Sequence, residues 1–170
     1  MCIDRRTNHE RSLSLYPEIR SILEWCADNR VALTICSKSP DFTIVKQILQ
    51  AFGIWEWFMF PQIFNSRKTY HFRNLTEATG FKMNDFLFFD DDLANINMCT
   101  KIGISSCLVD KQKGLTWSNF VDGLTLFYNN QKASSSMATW LSSERLLKDS
   151  MYDSQSREKE REALVISVVP

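Results

Sequence analysis

The chain has 170 residues, of which 44% are hydrophobic, and this is enough apolar sequence for one folded domain with a hydrophobic core. Its 20 basic residues balance its 20 acidic residues, which argues against a nucleic acid or an anionic membrane as partner. No stretch approaches the roughly 18 apolar residues of a membrane span, and the N-terminus lacks the apolar segment of a secretory signal. We therefore expect a soluble, cytoplasmic protein, while its oligomeric state stays open.

The five cysteines form no Cys-x-x-Cys pair, are odd in number and mostly lie in apolar runs. This usage is typical of reduced thiols in a reducing compartment. We interpret them as small hydrophobic core residues.

The first part of the chain predicts helices that alternate with a strand. Residues 16–29 have helical spacing of apolar side chains, with Pro17 suited to the first helical position. Residues 31–36 form a short β-branched run, typical of a strand buried on both faces. After a polar turn, residues 41–52 return to helical period, and Gly53 suits the end of that helix.

The same alternation continues to residue 129. Residues 59–64 predict a weaker strand, because Pro61 interrupts the run and suits an edge. Residues 86–89 (Phe-Leu-Phe-Phe) are the most apolar strand of the sequence, and three aspartates follow it directly. Further elements are predicted as helices at 68–79, 93–102 and 117–129 and a strand at 106–109. This order indicates an α/β domain with a parallel sheet covered on both faces.

The character of the chain changes after Asn130. We predict one domain over residues 1–130 and a polar, flexible tail over residues 131–170. Residues 164–169 (Leu-Val-Ile-Ser-Val-Val) are an exception in this tail, because they are uncharged, largely β-branched and typical of a strand.

Ligands of open parallel α/β sheets gather at the carboxyl ends of the strands, so polar residues in those places are candidates for function. Ser37 follows the strand at 31–36, where its hydroxyl and the backbone amides of the next helix would hold a phosphate oxygen. The alternative is an ordinary helix-capping turn. Lys68 begins a helix, where its ammonium would neutralise phosphate charge, although alone it would be read as a surface lysine.

The aspartate run Asp90, Asp91 and Asp92 is the third candidate. Adjacent carboxylates at the end of so apolar a strand repel one another and lose hydration unless a cation or hydrogen-bond donors compensate. Hard oxygen ligands of this kind suit Mg²⁺. For Asp90 and Asp91 we favour a metal site, whereas for Asp92 capping of the following helix is an equal alternative.

The co-linear order of Ser37, Lys68 and residues 90–96 (Asp-Asp-Asp-Leu-Ala-Asn-Ile) resembles motifs II, III and IV of the haloacid dehalogenase superfamily. The likeness to its magnesium-dependent phosphatase-1 family extends over roughly residues 4–129. It implies a Rossmann-like three-layer α/β/α core with a parallel sheet. The segments between the motifs are short, so no cap domain is expected.

The resemblance also implies chemistry: Mg²⁺ as cofactor and a phosphorylated small molecule or phosphotyrosine-like group as substrate. Ser37 and Lys38 would bind the phosphoryl group, and Lys68 would act as the catalytic lysine that neutralises it and orients the nucleophile. The fourth motif would hold the metal, and the residues that the family pattern assigns there are Asp90 and Asp91 as ligands and Asn95 as support for their loop.

In that family an aspartate of an early Asp-x-Asp-x-Thr motif attacks phosphorus, and the aspartate two residues later acts as general acid and base. These 170 residues contain no Asp-x-Asp-x-Thr. Cys36 is no substitute, because a cysteine phosphatase loop needs an arginine six positions later, where Phe42 stands. We therefore expect that the chain belongs to a family of phosphomonoesterases but is itself inactive in the form printed.

Three functional readings remain. The chain is a shortened form of an enzyme, or it is a non-catalytic binding or interaction protein of the same fold. A nucleotide-binding module is a weaker third reading, because the five glycines are scattered and form no phosphate-binding loop.

The missing motif has a structural consequence as well. In the family it ends the central strand, between the strands that precede Ser37 and Asp90. Its loss would leave a gap of roughly 9 to 10 Å, lined by unpaired backbone groups. We hypothesise that residues 164–169 fill this gap.

Overall fold

The computed structural model describes residues 2–3, 10–11, 13–146 and 163–166, with side chains for residues 13–135. The elements in chain order are β1 (Cys2–Ile3), β2 (Glu10–Arg11), α1 (Ile19–Asp28), β3 (Ala32–Ser37), α2 (Phe42–Ala51), β4 (Gln62–Ile63), α3 (Lys68–Thr79), β5 (Phe86–Asp90), α4 (Leu93–Lys101), β6 (Ser105–Leu108), α5 (Trp117–Leu146) and β7 (Ala163–Ile166). Short 3₁₀ helices lie at Trp55–Trp57 and Met83–Asp85. Across the described residues, each helix is too short or too polar to cross a lipid bilayer.

Five strands form one sheet in the order β4-β3-β7-β5-β6, and each neighbouring pair is parallel. β1 and β2 form a separate antiparallel pair. Because all strands of the main sheet run in one direction, their carboxyl ends meet at one edge, which we call the carboxyl edge. The candidate residues at the ends of β3 and β5, Ser37 and Asp90, lie at this edge.

Both faces of the sheet are covered, as the side chains of β5 demonstrate. Leu87 and Phe89 belong to one hydrophobic cluster, whereas Phe86 and Phe88 belong to the other. Successive side chains of a strand point to opposite faces, so a strand with four buried apolar residues in a row needs a layer of helices on each side. Residues of α1, α2 and α5 pack in the first cluster and residues of α3 and α4 in the second. The predicted three-layer α/β/α fold is confirmed.

The centre of the sheet is occupied by β7. Its residues pair in parallel register with β3 on one side, from Ala32 opposite Ala163 to Ile35 opposite Ile166. On the other side they pair with β5, from Phe86 to Phe89. The hypothesis that the C-terminal run fills the central gap is confirmed for residues 164–166, and residues 167–169 lie outside the described part of the chain.

Two elements differ in length from their predictions. β4 has only two residues instead of six, because Pro61 has no backbone N–H to donate to a neighbouring strand. α5 continues to Leu146, well past Asn129. The serines that suggested a loop have only moderately unfavourable helix propensity, and helix-forming residues surround them. The proposed division into a domain and a tail at residue 130 thus falls within α5, and it stays a prediction.

α5 crosses close to the sheet at Gly123. A Cβ atom at this position would lie 2.5 Å from Cζ of Phe89, so any larger residue would require the buried Phe89 ring to move. Cys26, Cys36 and Cys99 are buried free thiols, and Cys107 is partly buried. Their interpretation as small core residues is confirmed for these four.

Candidate functional site at the carboxyl edge

Ser37 is the last residue of β3 and is only 3% exposed. Its Oγ accepts a hydrogen bond of 3.1 Å from the backbone N–H of Ser39. Helix α2 is capped by a different residue, since the carboxylate of Asp41 accepts from the N–H of Ile44 at 3.0 Å. The hydroxyl of Ser37 thus organises the turn at the strand end rather than capping the helix.

Lys68 is the first residue of α3, yet it is buried at 2% exposure. Its Nζ donates to the carbonyl oxygen of Cys36 and lies 3.3 Å from Oδ2 of Asp90. The first acceptor belongs to β3 and the second to β5. The ammonium therefore spans the two strands that flank β7, and the alternative of an ordinary surface lysine is wrong.

Asp90 ends β5 and is 1% exposed. Besides facing Lys68, both of its carboxylate oxygens accept from Nδ2 of Asn95 at 3.1 Å, and Oδ1 accepts from the N–H of Asp92 at 2.8 Å. A buried carboxylate requires such donors and a nearby cation to offset its lost hydration. Asp92 itself caps α4, where its Oδ1 accepts from the N–H of Ala94 at 2.8 Å.

Asn95 links this pair to a second lysine. Its Oδ1 accepts a hydrogen bond of 2.6 Å from Nζ of Lys38, which also lies 3.7 Å from Oδ2 of Asp92. Lys38 is partly exposed, whereas Asn95 is buried. One continuous polar network thus runs from the partly exposed ammonium of Lys38 through Asn95 and Asp90 to the buried ammonium of Lys68.

Asp91 lies outside this network. Its side chain lines a cavity of about 210 Å³ that is formed largely by apolar residues of the opposite face of the sheet, among them Leu13, Tyr16 and Phe89. Within the described part of the chain, its carboxylate has no hydrogen-bond or ion-pair partner. The two neighbouring aspartates therefore face different surroundings, as expected for successive residues at a strand end.

The donor set for a cation is correspondingly small. Among the described residues, no group of three or more His, Cys, Asp or Glu side chains converges where a metal ion would bind. Mg²⁺ needs fewer protein ligands than that, because it is usually held by one or two carboxylates, waters and phosphate oxygens. Asp91 fits this requirement best, since no described residue bonds to its carboxylate, whereas the oxygens of Asp90 accept hydrogen bonds.

Two further titratable groups border the network. Burial raises the pKa of the Cys36 thiol to about 12, so this side chain stays protonated and is a poor nucleophile. His71 is fully buried, and its Nε2 lies 3.0 Å from the carbonyl oxygen of Phe64. Burial lowers the pKa of His71 to about 4, and its Nδ1 has no hydrogen-bond partner among the described atoms.

The structure brings together most of the residues that the sequence predicted: Lys38, Lys68, Asp90 and Asn95 form the network, and Ser37 follows the Cys36 carbonyl at its edge. It does not bring Asp91 into contact with them. Sequence reasoning missed the carbonyl of Cys36, because a backbone acceptor leaves no signal in side-chain types. It also missed the buried nitrogen of His71, one turn after Lys68.

Comparison with known proteins identifies the family of this chain. The sequence model of the family described as acid phosphatase matches residues 1–130. Magnesium-dependent phosphatase 1 of Homo sapiens is 26% identical over 126 residues, which cover 74% of this chain and 70% of the human protein. The matched range contains every residue of the polar network. The chain belongs to the acid phosphatase family, in the magnesium-dependent phosphatase-1 group of the haloacid dehalogenase superfamily.

Proposed function

We propose that this chain binds phosphate monoesters together with Mg²⁺ at the carboxyl edge of its sheet, and that it does not hydrolyse them in the form printed. The substrates would be phosphotyrosine-like groups or sugar phosphates. The observation that carries the proposal is the position of Lys68, whose buried ammonium joins the ends of β3 and β5 across the central strand. A positive charge at the centre of the carboxyl edge favours an anionic ligand there.

The neighbouring groups support phosphate as that ligand. Ser37 contributes a hydroxyl at the end of β3, and the turn that it organises leads into the N-terminus of α2, where backbone amides favour anions. Lys38 adds a second, partly exposed ammonium, which Asn95 holds at the edge of the site. These groups would bind and orient a phosphoryl group.

Asp91 would be the direct ligand of Mg²⁺, and Asp90 would act on it through water while it keeps Lys68 and Asn95 in place. Bound Mg²⁺ would neutralise the charge of the phosphate oxygens. The remaining ligands of the ion would be water and phosphate, in keeping with the small set of protein donors.

The lack of turnover follows from the missing nucleophile. The sequence has no Asp-x-Asp-x-Thr, and the Cys36 thiol is protonated because burial raises its pKa to about 12. The groups of the network position and neutralise a phosphate, but none of them is a carboxylate placed to attack it. The missing nucleophile favours a binding function for the chain as printed. A form that also carried the Asp-x-Asp-x-Thr motif would be an enzyme.

The test compares p-nitrophenyl phosphate hydrolysis by two proteins in the presence of Mg²⁺. One is the chain as printed, and the other carries an added N-terminal strand that ends in Asp-x-Asp-x-Thr. We expect turnover only in the second, and its loss on Asp91→Asn. The control is Asp28→Asn, an exposed aspartate at the end of α1, close to the start of β3 and thus at the opposite edge of the sheet.

Binding is tested independently by calorimetric titration of inorganic phosphate in the presence of Mg²⁺. We expect binding to the printed chain, weakened by Asp91→Asn and unchanged by Asp28→Asn. Hydrolysis by the printed chain would contradict the assignment of the nucleophile. A lack of phosphate binding in both proteins would contradict the proposed function itself.

A further inference from the structure

The cavity beside Asp91 lies between the sheet and helices α1 and α2. Its lining includes Ile19 and Leu23 of α1, Leu49 of α2 and Phe89 of β5, all of which are buried. The volume of the cavity is about 210 Å³. Protein interiors contain few voids larger than a water molecule, so a space of this size in the hydrophobic core is a candidate binding site.

The exposed residues of the lining mark where the cavity opens to solvent. They lie in residues 13–16, ahead of α1, and at Asp110 and Lys111, after β6. The phenol of Tyr16 donates a hydrogen bond of 2.7 Å to the carbonyl oxygen of Lys111. The ring of Tyr16 also lies so close to Gly114 that a Cβ atom there would collide with it. The two segments are thus joined, and the mouth of the cavity has a defined shape before a ligand enters.

The charged side chains of the lining favour a cation at this mouth. They are the carboxylates of Asp91 and Asp110 and the ammonium of Lys111. The carboxylate of Asp110 accepts from the backbone N–H groups of Gln112 and Lys113, and these bonds hold its pKa below its usual range. Asp91 has no hydrogen-bond or ion-pair partner among the described residues. A cationic group of a ligand would give its carboxylate a charge-assisted hydrogen bond.

The size and the lining of the cavity favour an aromatic ring as the body of the ligand. An apolar cavity of about 150 Å³ holds one benzene molecule, so about 60 Å³ remains here, the space of about two water molecules. This remainder is enough for a chain of two carbon atoms. Phe52, Phe58 and Phe89 belong to the lining, and their rings offer edge-to-face contacts to another ring.

We propose that this cavity binds a single-ring aromatic amine, with the ring among the phenylalanines and the ammonium at the carboxylate of Asp91. The inference goes beyond the proposed function, because it needs neither phosphate nor Mg²⁺. The amine and the proposed Mg²⁺ would use the same carboxylate, so each would exclude the other. The tests are therefore made with EDTA and without phosphate.

Calorimetric titration compares two probes, 2-phenylethylamine and 3-phenylpropionate. They share the ring and the two-carbon chain, but one ends in an ammonium and the other in a carboxylate. We expect the amine to bind at least about tenfold more tightly, because the unpartnered carboxylate attracts only the cation. Asp91→Asn should weaken amine binding by a similar factor, and the exposed control Asp28→Asn should leave it unchanged. Equal affinities for the two probes, or an unaffected Asp91→Asn variant, would overturn the proposal.

The position of the ring is tested by nuclear Overhauser effects between its protons and methyl groups of the protein. We expect contacts with Val45 and Leu49, which line the cavity, and none with Leu75 and Ile96, which belong to the cluster on the other face of the sheet. Binding without contacts to the lining methyl groups would refute the cavity as the site. Because this measurement uses the unaltered chain, it does not depend on how well any variant folds.

A blocking substitution completes the test. Ile48 lines the cavity and is partly exposed, so Ile48→Trp would place a large ring in the ligand's space. The matched control is Ile44→Trp, at an exposed position of the same helix outside the lining. We expect only Ile48→Trp to abolish amine binding, and equal binding by the two variants would contradict the proposal. Phosphate titration tests the site at Lys68 separately, so failure of one inference is distinguishable from failure of the other.

Discussion

The two aspartates at the end of β5 are adjacent in sequence, but the surroundings of their side chains are opposite in character. Asp90 is 1% exposed and faces the ammonium of Lys68 and the amide of Asn95 on the α3 and α4 side of the sheet. Asp91 faces the apolar cavity on the other side and has no such partners in the described part of the chain. Among the described residues, the carboxylate of Asp90 is satisfied by an ion pair and hydrogen bonds, whereas that of Asp91 has no such partner.

This difference separates two roles that a motif of consecutive aspartates does not distinguish. A carboxylate surrounded by donors holds its neighbours in position, and its charge is already balanced. A carboxylate without partners is the one whose charge a bound cation would balance. Stability should therefore depend on Asp90, and cation binding on Asp91.

The largest expected effect tests this division directly. Asp90→Asn removes the negative charge that lies 3.3 Å from a buried ammonium, so we expect a loss of about 3 to 5 kcal/mol in the free energy of unfolding. Asp91→Asn removes no contact of this kind and should change it by less than about 0.5 kcal/mol. Urea denaturation of both variants measures the difference. Equal destabilisation by the two substitutions would contradict the division.

A second prediction concerns β7, the central strand of the sheet. Val165→Pro removes a backbone N–H and imposes a fixed φ angle in a strand that is paired on both sides. We expect a loss of roughly 3 kcal/mol, measured by thermal and urea unfolding. The control is Ser154→Pro, in the sequence between α5 and β7. If Val165→Pro is as harmless as Ser154→Pro, β7 is not the central strand.

The third prediction concerns the pH dependence of stability. His71 is buried on the same side of the sheet as Asp90, one turn after Lys68. Its pKa falls from 6.5 to about 4 because burial disfavours the charged ring. Between these values the unfolded chain binds a proton that the folded chain does not, so stability declines as pH falls from 6.5 to 4 and is unaffected by this group above 6.5. At 1.36 kcal/mol per unit of pKa, the loss should be about 3 kcal/mol.

His71→Gln isolates this contribution. Glutamine keeps an N–H donor for the carbonyl of Phe64 but does not titrate. We expect the unfolding free energy of the variant to fall less steeply than that of the unaltered chain between pH 6.5 and 4. Identical slopes for the two proteins would mean that His71 is not buried in its neutral form.

Much of this fold could be read from hydrophobic periodicity. The run at residues 86–89 became β5, and the helix predicted at residues 68–79 has those bounds in the structure, because each pattern has one dominant period. The length of α5 was not predictable, since its serines suit loops and helices nearly equally. Composition and the family resemblance together suggested that the C-terminal run is a strand between β3 and β5, but its register depends on pairing between distant segments.

The site was predictable to a similar degree. Parallel topology brings Lys68 and Asp90 to one edge, and the order of motifs identified both residues. The separation of Asp90 from Asp91 was also contained in the sequence, because consecutive residues of a strand alternate between faces. The assignment of both residues to a metal site stays a prediction. The acceptor carbonyl of Cys36 has no counterpart in any pattern of side chains.

The last prediction concerns Lys38, which connects the network to solvent and should contribute little to stability. Its side chain is 43% exposed, and its ion pair with Asp92 is long at 3.7 Å. Exposed pairs contribute little, so Lys38→Ala should reduce stability by no more than about 1 kcal/mol. Phosphate affinity should nevertheless fall several-fold in calorimetric titration, whereas Lys101→Ala, an exposed lysine at the end of α4, should leave it unchanged. A large loss of stability with unchanged phosphate affinity would mean that Lys38 holds Asn95 in position and does not bind the ligand. Phosphate would then be held by Lys68 and Ser37 alone, on the side of the sheet where Asp90 lies.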